Sequence, residues 1–178
     1  MISCQLSIDN VNFLSSIIFI VMGYKKILVA LDRSSNSDPI FEQALELCQQ
    51  EAAELLLFHC IPIEHSISSY SNLYGEELTY FSQMIQQQLE TEKKEVEHWL
   101  RECCEKAQEK GIKAQWDWKI GEAGRLICQM RDNWQADLLI LGRRGRRGLT
   151  EMFLGSVSNY VVHHAPCSVL VVQGVIST

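Results

Sequence analysis

The sequence predicts an α/β fold in which an open parallel β-sheet is covered on both faces by helices. Strand-like and helix-like segments alternate along the chain, five strands with four helices between them. The strand-like runs are also almost continuously apolar, as in AELLLFHCI at 53–61. A continuous apolar run is typical of a strand that is buried on both faces of a parallel sheet.

The first half of the chain contains two predicted strands and two predicted helices. Residues 24–31 (YKKILVAL) indicate the first strand, and a helical stripe follows Pro39, which suits a first helical turn. The second strand covers 53–61, and the Ser/Tyr-rich segment at 62–75 is either a lid or a connector. The helix predicted at 76–110 would be about 50 Å long, so we expect a break or a frayed start. Gly111 is suited to end it.

The second half of the chain completes the sheet. We predict strands at 112–120, 137–141 and 167–172, with helices at 122–134 and 155–164, the latter stopped by Pro166. Crossovers between parallel strands are right-handed, and ligands bind outside the carboxyl ends of the strands. The ends of the first and fourth strands are therefore the predicted ligand edge.

Composition excludes several classes of function. The chain has 178 residues, which suits one α/β domain, and its net charge of −6 argues against a duplex-DNA partner. Its seven cysteines form no Cys-x-x-Cys motif and fall largely in apolar runs, which indicates a reducing, cytoplasmic compartment. His163, His164 and Cys167 do not suggest a metal site, because a helix end and Pro166 separate them.

The first 23 residues stand apart from the rest. Residues 11–22 are largely apolar, but a membrane span needs about 20 such residues. No Lys or Arg precedes the run and no clear cleavage pattern follows it, so we predict no membrane partner. We interpret 1–23 as an extension, with Met22 as the natural start, and 24–178 as the domain.

A glycine- and arginine-rich segment links the fourth strand to the fourth helix. Glycines permit close backbone approach, and a helix N-terminus attracts anions. The sequence contains no P-loop, dinucleotide or serine-hydrolase motif. Phosphate of a nucleotide is the predicted ligand; the alternatives are an ordinary helix cap at Gly155-Ser156 and a solvated arginine loop. The segment comprises Gly142, Arg143, Arg144, Gly145, Arg146, Arg147 and Gly148, followed by Gly155, Ser156, Val157 and Ser158.

The spacing Gly142-x-x-Gly145-x9-Gly155-Ser156 resembles the nucleotide-binding motif of the universal stress protein family, in its ATP-binding branch. Residues 25–32 (KKILVALD), 56–60 (LLFHC) and 165–172 (APCSVLVV) are similar to that family's first, second and last strands. The resemblance covers 24–173. It implies a Rossmann-like sheet in the order 3-2-1-4-5, and a homodimer that pairs through the strand from Cys167 to Val172.

The resemblance also implies an ATP site, with or without Mg²⁺. Near the base and ribose it places Ala30, Asp32 and Cys60. Around the ribose and phosphates it places Leu141, Gly142, Gly145, Gly155, Ser156, Val157 and Ser158. Arg143, which the motif does not dictate, is a further candidate contact from the loop. ATP-binding relatives often have proline at the position of Ala30, where we expect little effect. Another branch of the family lacks the glycine motif and does not bind ATP.

The sequence contains no evident catalytic constellation. His59 is interpreted as a packing histidine, and Asp32 either hydrogen-bonds the nucleoside or holds a metal on the phosphates. We therefore predict a cytoplasmic ATP-binding stress-response protein whose nucleotide state regulates an unidentified protein partner. The alternatives are a slow ATPase, a nucleotidyl transferase, or a binder of AMP or cyclic AMP. The His-x-Gly-His signature expected of many transferases on related folds is absent from the sequence.

Overall fold

Strands and helices alternate along the chain in the computed structural model, which describes residues 23–34, 37–62, 76–143 and 154–173. Side chains of the second helix are described from residue 82 onward. The elements are β1 (Lys26–Ala30), α1 (Ser37–Glu51), β2 (Glu54–Ile61), α2 (Glu76–Glu109), β3 (Ala114–Ile120), α3 (Ala123–Trp134), β4 (Leu138–Arg143), α4 (Ser156–His164) and β5 (Ser168–Gln173).

The five strands form one parallel sheet in the order β3-β2-β1-β4-β5, so the predicted fold class and strand order are confirmed. The chain builds outward from β1 to β2 and β3, and then crosses to the other side of β1 to add β4 and β5. Ala30, at the end of β1, therefore pairs with Phe58 of β2 on one side and Leu141 of β4 on the other. The strand order reverses between β1 and β4, which is where ligands of such sheets bind.

Two hydrophobic clusters, one on each face, hold the sheet between its helices. Ile27 and Val29 of β1 belong to the cluster that includes α1 and α2 residues, whereas Leu28 belongs to the cluster with α3 and α4. This alternation follows from the period of two in a strand. All three side chains are fully buried, and each such burial contributes about 1.5–3 kcal/mol. Continuous apolarity in the strands thus reflects helices on both faces.

Helix α2 is longer than the sheet it covers. Its 34 residues span about 50 Å, whereas the eight residues of β2 span about 26 Å. Val96, Leu100, Cys103 and Ala107 are buried as predicted, but Ile85 is 39% exposed. The expected break is absent, since α2 is continuous from Glu76 to Glu109. Helix α2 runs antiparallel to the strands and begins beyond their carboxyl ends. Its N-terminal half therefore extends past the edge of the sheet.

The ends of the helices follow local chemistry. Gly111 has φ +78° and its N–H donates to the carbonyl of Gln108, 2.9 Å away, so it ends α2 as predicted. Helix α3 begins after Glu122, whose carboxylate accepts from the backbone N–H groups of Gly124 and Arg125. Among the helices described, none combines the length and apolarity that crossing a bilayer requires.

Candidate functional site

The candidate site lies at the carboxyl edge of the sheet, where β1 and β4 run side by side. Ala30 pairs with Leu141 across this boundary, and Asp32 follows β1 after one residue. Cys60 lies near the end of β2, the neighbour of β1 on the other side. The fold therefore brings these four residues to one edge, as the sequence predicted for the ligand side of the sheet.

The Asp32 carboxylate organises the turn that connects β1 to α1. Its Oδ1 accepts from the backbone N–H of Ser34 at 3.3 Å and from the hydroxyls of Ser34 and Ser37, the latter at 3.1 Å. The Ser37 hydroxyl also donates to the Asp32 carbonyl. These local bonds are those of an Asx turn, and they position the carboxylate at the sheet edge. We did not predict the two serines, although the spacing Asp-x-Ser-x-x-Ser is the signal that could have revealed them.

His59 and Cys60, near the end of β2, are both uncharged at neutral pH. His59 is buried, its ring lies edge-on to Trp99 at 5.6 Å, and its Nδ1 lies 2.8 Å from the Leu31 carbonyl. Because a carbonyl accepts, Nδ1 is the protonated nitrogen of the neutral ring; burial lowers the pKa of His59. Burial, and then the charge of Glu122, raise the pKa of the Cys60 thiol to about 12. His59 is thus the packing histidine that we expected.

Strand β4 extends further than predicted. We predicted that the strand ends at residue 141 and that Gly142 begins the loop, but Gly142 pairs with Val172 and Arg143 pairs with Gln173. The reason is tertiary: β5 continues the ladder beside both residues. A Cβ on Gly142 would lie 2.4 Å from Cδ1 of the buried Ile40 in α1. A side chain at Gly142 would therefore require the terminal methyl group of Ile40 to move.

The N-terminus of α4 presents backbone N–H groups behind a glycine. Gly155 is the N-cap residue and has no side chain with which to accept from the first-turn amides. In α3 the Glu122 carboxylate occupies the corresponding place. An acceptor supplied from outside the helix would therefore complete the first turn of α4.

The serines and valine of this turn differ in their surroundings. Ser158 is buried and its hydroxyl donates to the Gly155 carbonyl at 3.0 Å, so this hydroxyl has an internal acceptor. Ser156 is exposed and Val157 is half-buried. Of the two hydroxyls that we expected to donate to phosphate, Ser156 is the one at the surface.

Part of the predicted site lies outside the described residues. This applies to Gly145, to Arg144, Arg146 and Arg147, and to nearly all of the segment at 62–75. Arg143 is half-buried at the end of β4. Within the described ranges, no three His, Cys, Asp or Glu side chains are gathered as a metal site would require.

Comparison with known proteins identifies the family. The Universal stress protein family model matches residues 23–173. Universal stress protein Sll1388 of Synechocystis sp. is 50% identical over 153 residues, which are 85% of this chain and 99% of that protein. Universal stress protein A homolog 2 of Coxiella burnetii is 38% identical over 153 residues, which are 85% of this chain and 96% of that protein.

Solved structures agree with this sequence similarity at the level of the fold. Universal stress protein UspA from Lactobacillus plantarum has a TM-score of 0.67 at 22% identity, covering 84% of this chain and 98% of its own. A universal stress protein in complex with cAMP has a TM-score of 0.58 at 19% identity, covering 86% and 99%. A universal stress protein from Archaeoglobus fulgidus in complex with dAMP has a TM-score of 0.53 at 18% identity, covering 84% and 98%. On the extent of the family match and the identity to Sll1388, this chain belongs to the universal stress protein family.

Proposed function

We propose that this chain binds an adenine nucleotide, with ATP as its main ligand, at the edge where β1 meets β4. The observation that carries the proposal is the first turn of α4, whose N-cap glycine provides no side-chain acceptor. A phosphate group supplies such an acceptor, and the helix dipole favours its negative charge. The cAMP and dAMP complexes of two universal stress proteins support an adenine nucleotide.

The site residues divide into two groups by their place in the fold. Ala30, Asp32 and Cys60 follow or end β1 and β2, and we assign them to the adenosine. The second group belongs to β4, α4 and the loop between them, and we assign it to the ribose and phosphates: Leu141, Gly142, Arg143, Gly145, Gly155, Ser156, Val157 and Ser158. Mg²⁺ binds through one or two carboxylates together with phosphate oxygens, so any Mg²⁺ would enter with the nucleotide.

We propose a regulator rather than a catalyst. The titratable groups at the end of β2 do not suggest acid–base or nucleophilic chemistry, since His59 is buried with its Nδ1 bonded to the Leu31 carbonyl and burial raises the pKa of Cys60 to about 12. The nucleotide would instead set the surface offered to a protein partner in the cytoplasm.

A homodimer through β5 forms part of the same proposal. β5 is an edge strand, and Val169, Leu170 and Val171 are only half-buried. Covering an apolar edge strand avoids uncontrolled pairing with other chains. Light scattering should give twice the chain mass of 20.4 kDa at micromolar concentration, and a monomer would refute this part.

Mass analysis of the small molecules released by denaturing the purified protein tests the nucleotide directly. We expect ATP to be released, and titration calorimetry should rank ATP above AMP and cyclic AMP. Recovery of no nucleotide, together with no heat of binding, would refute the proposal; tighter binding of AMP or cyclic AMP would refute the choice of ATP.

Two substitutions test the place of binding. Gly155→Val should abolish binding while the fold is kept, because the backbone of Gly155, with φ −59° and ψ 158°, is open to any residue. Asp32→Asn should weaken binding, whereas Asp38→Asn, in the exposed first turn of α1, provides the matched control. Unchanged affinity in both Gly155→Val and Asp32→Asn would refute the site.

A further inference from the structure

The residue before Asp32 is fixed by β2. The N–H of Leu31 donates to the Phe58 carbonyl at 3.0 Å, and the Leu31 carbonyl accepts from Nδ1 of His59 at 2.8 Å. Leu31 and His59 are both buried, so the surrounding protein shields these bonds from water. Both backbone polar groups of Leu31 are therefore held by β2, immediately before the chain reaches Asp32.

The residue after Asp32 is held by α2. Nη1 of Arg33 donates to Oε2 of Glu95 at 2.9 Å. The two side chains are 42% and 54% exposed, and an exposed pair of this kind contributes little to the stability of the whole domain. Its effect is local, because it restrains the turn that carries Asp32.

Both restraints lead to one face of α2. The His59 ring lies edge-on to the Trp99 ring, with centroids 5.6 Å apart and planes at 86°. Trp99 follows Glu95 by four residues, so the two side chains project from the same face of the helix. One face of α2 therefore supports both neighbours of Asp32.

The hydrogen bonds inside the turn do not replace this support. The bonds that the Asp32 carboxylate accepts come from Ser34 and Ser37, which belong to the same turn and move with it. Bonds within a short segment offset little of the entropy lost by ordering it, so the turn also needs contacts with the rest of the fold. A binding group has to be held within about 0.5 Å of its productive position, so these contacts bear on ligand affinity.

We propose that His59 and Glu95 are positioning residues of the nucleotide site, which set its affinity by holding the two neighbours of Asp32 in place. His59 acts through the Leu31 carbonyl, and Glu95 acts through the Arg33 guanidinium. The inference rests on the proposed nucleotide function and deepens it, since neither residue belongs to the set that we assign to the nucleotide.

Amide hydrogen exchange of the nucleotide-free protein, followed by NMR, tests the positioning without any ligand. Ser37 is buried and its N–H donates to the Ser34 carbonyl at 3.1 Å, so its exchange rate reports the order of the turn. Glu95→Gln should speed this exchange by about two- to fivefold, as expected for the loss of an exposed ion pair. The control Glu102→Gln, whose carboxylate lies 3.3 Å from Nε2 of His98 farther along α2, should leave the rate unchanged. Equal rates in the wild type and Glu95→Gln would overturn the role of Glu95.

Titration with ATP tests the consequence for affinity, with urea midpoints measured in parallel to show that each variant is folded. Glu95→Gln should weaken binding by about two- to fivefold. His59→Leu should weaken it more, because the buried Leu31 carbonyl loses its donor, and His59→Asn should restore most of the affinity because its side-chain amide supplies an N–H. In the Asp32→Asn background neither Glu95→Gln nor His59→Leu should weaken binding further, since both act through Asp32. Fully additive losses in that background would overturn the proposal.

A charge swap separates positioning from direct contact. The double variant Arg33→Glu, Glu95→Arg keeps an ion pair between the turn and α2, so its affinity should return to within about twofold of the wild type. If Arg33 itself bound phosphate, the swap would not restore binding, and that result would overturn the role of Glu95. A wild type that binds no nucleotide, with faster Ser37 exchange in Glu95→Gln, would refute the proposed function and support the positioning of the turn. ATP binding with unchanged exchange and affinity in every variant would overturn the positioning and leave the proposed function intact.

Discussion

Gly124 is the position where one methyl group tests the packing of α4, the helix whose N-terminus forms part of the candidate site. Gly124 is buried in the first turn of α3. A Cβ added there would lie 2.8 Å from Cδ1, 2.9 Å from Cγ and 3.0 Å from Cβ of Tyr160 in α4. These atoms include the base of the tyrosine side chain, so turning the ring cannot clear the space. Gly124→Ala must therefore push α3 and α4 apart.

Two opposing effects determine how much Gly124→Ala changes the free energy of unfolding. Overpacking a buried contact costs about 1–3 kcal/mol. Replacing glycine by alanine in a helix contributes at most about 1 kcal/mol in the other direction, and less in the first turn. We expect the free energy of unfolding to fall by about 1–2 kcal/mol, which corresponds to a decrease in Tm of about 3–6 °C for a domain of this size.

Urea denaturation of four proteins measures this effect: the wild type, Gly124→Ala, Tyr160→Ala and the double variant. Removing the ring removes the two shortest contacts and leaves only the 3.0 Å contact with Cβ of residue 160, so Gly124→Ala should cost much less in the Tyr160→Ala background. The same penalty in both backgrounds would refute the reasoning, since the cost would then lie elsewhere than in the contact with Tyr160.

Three further predictions concern helix ends and one buried histidine. Glu122→Ala should lower the free energy of unfolding by about 1 kcal/mol because α3 loses its N-cap. The control Glu46→Ala, at an exposed position of α1, should change the free energy of unfolding little. Equal effects of the two substitutions in denaturant titrations would contradict this prediction. Gly111→Ala should cost about 1 kcal/mol because φ is +78°, and Gly111→Asn should cost less; a Tm order with Asn below Ala would contradict it. Burial lowers the folded pKa of His59, so its contribution to stability is full above about pH 6.5 and is lost as the pH falls towards that depressed value. His59→Asn should flatten the urea midpoint between pH 7.5 and pH 5, and an unchanged pH dependence would contradict it.

The architecture was predictable because each strand is marked by its own composition. Apolar runs such as 53–61 identify strands wherever the sheet is covered on both faces, and their alternation with helices defines the fold class. The errors occurred where tertiary contacts override local pattern. Gly142 and Arg143 have the composition of a loop, yet they extend β4 because β5 pairs with them. Ile85 continues the apolar stripe of α2, yet it is exposed because the helix extends beyond the edge of the sheet.

The candidate site was predictable at its edge and less so in its details. β1 and β4 are neighbours in the sheet, so Asp32, which follows β1, lies near the end of β4. Their proximity therefore follows from the fold class. The bond between His59 and the Leu31 carbonyl depends on the register of β1 and β2, which composition does not determine. The contact of Gly124 with Tyr160 depends in the same way on how α3 and α4 pack.

The glycines of the motif now have different physical explanations. Gly142 has a reason within the protein itself, because a side chain there would meet Ile40. The backbone conformation of Gly155 does not itself require glycine, since φ −59° and ψ 158° are accessible to every residue type. Serine, asparagine and aspartate cap helices better than glycine, but each would fill the place of an incoming acceptor with its own oxygen. If Gly155 serves a ligand, substituting it should lower the affinity for the nucleotide and leave the free energy of unfolding unchanged. If Gly142 serves packing, substituting it should lower the free energy of unfolding. This difference separates a ligand site from a packing requirement.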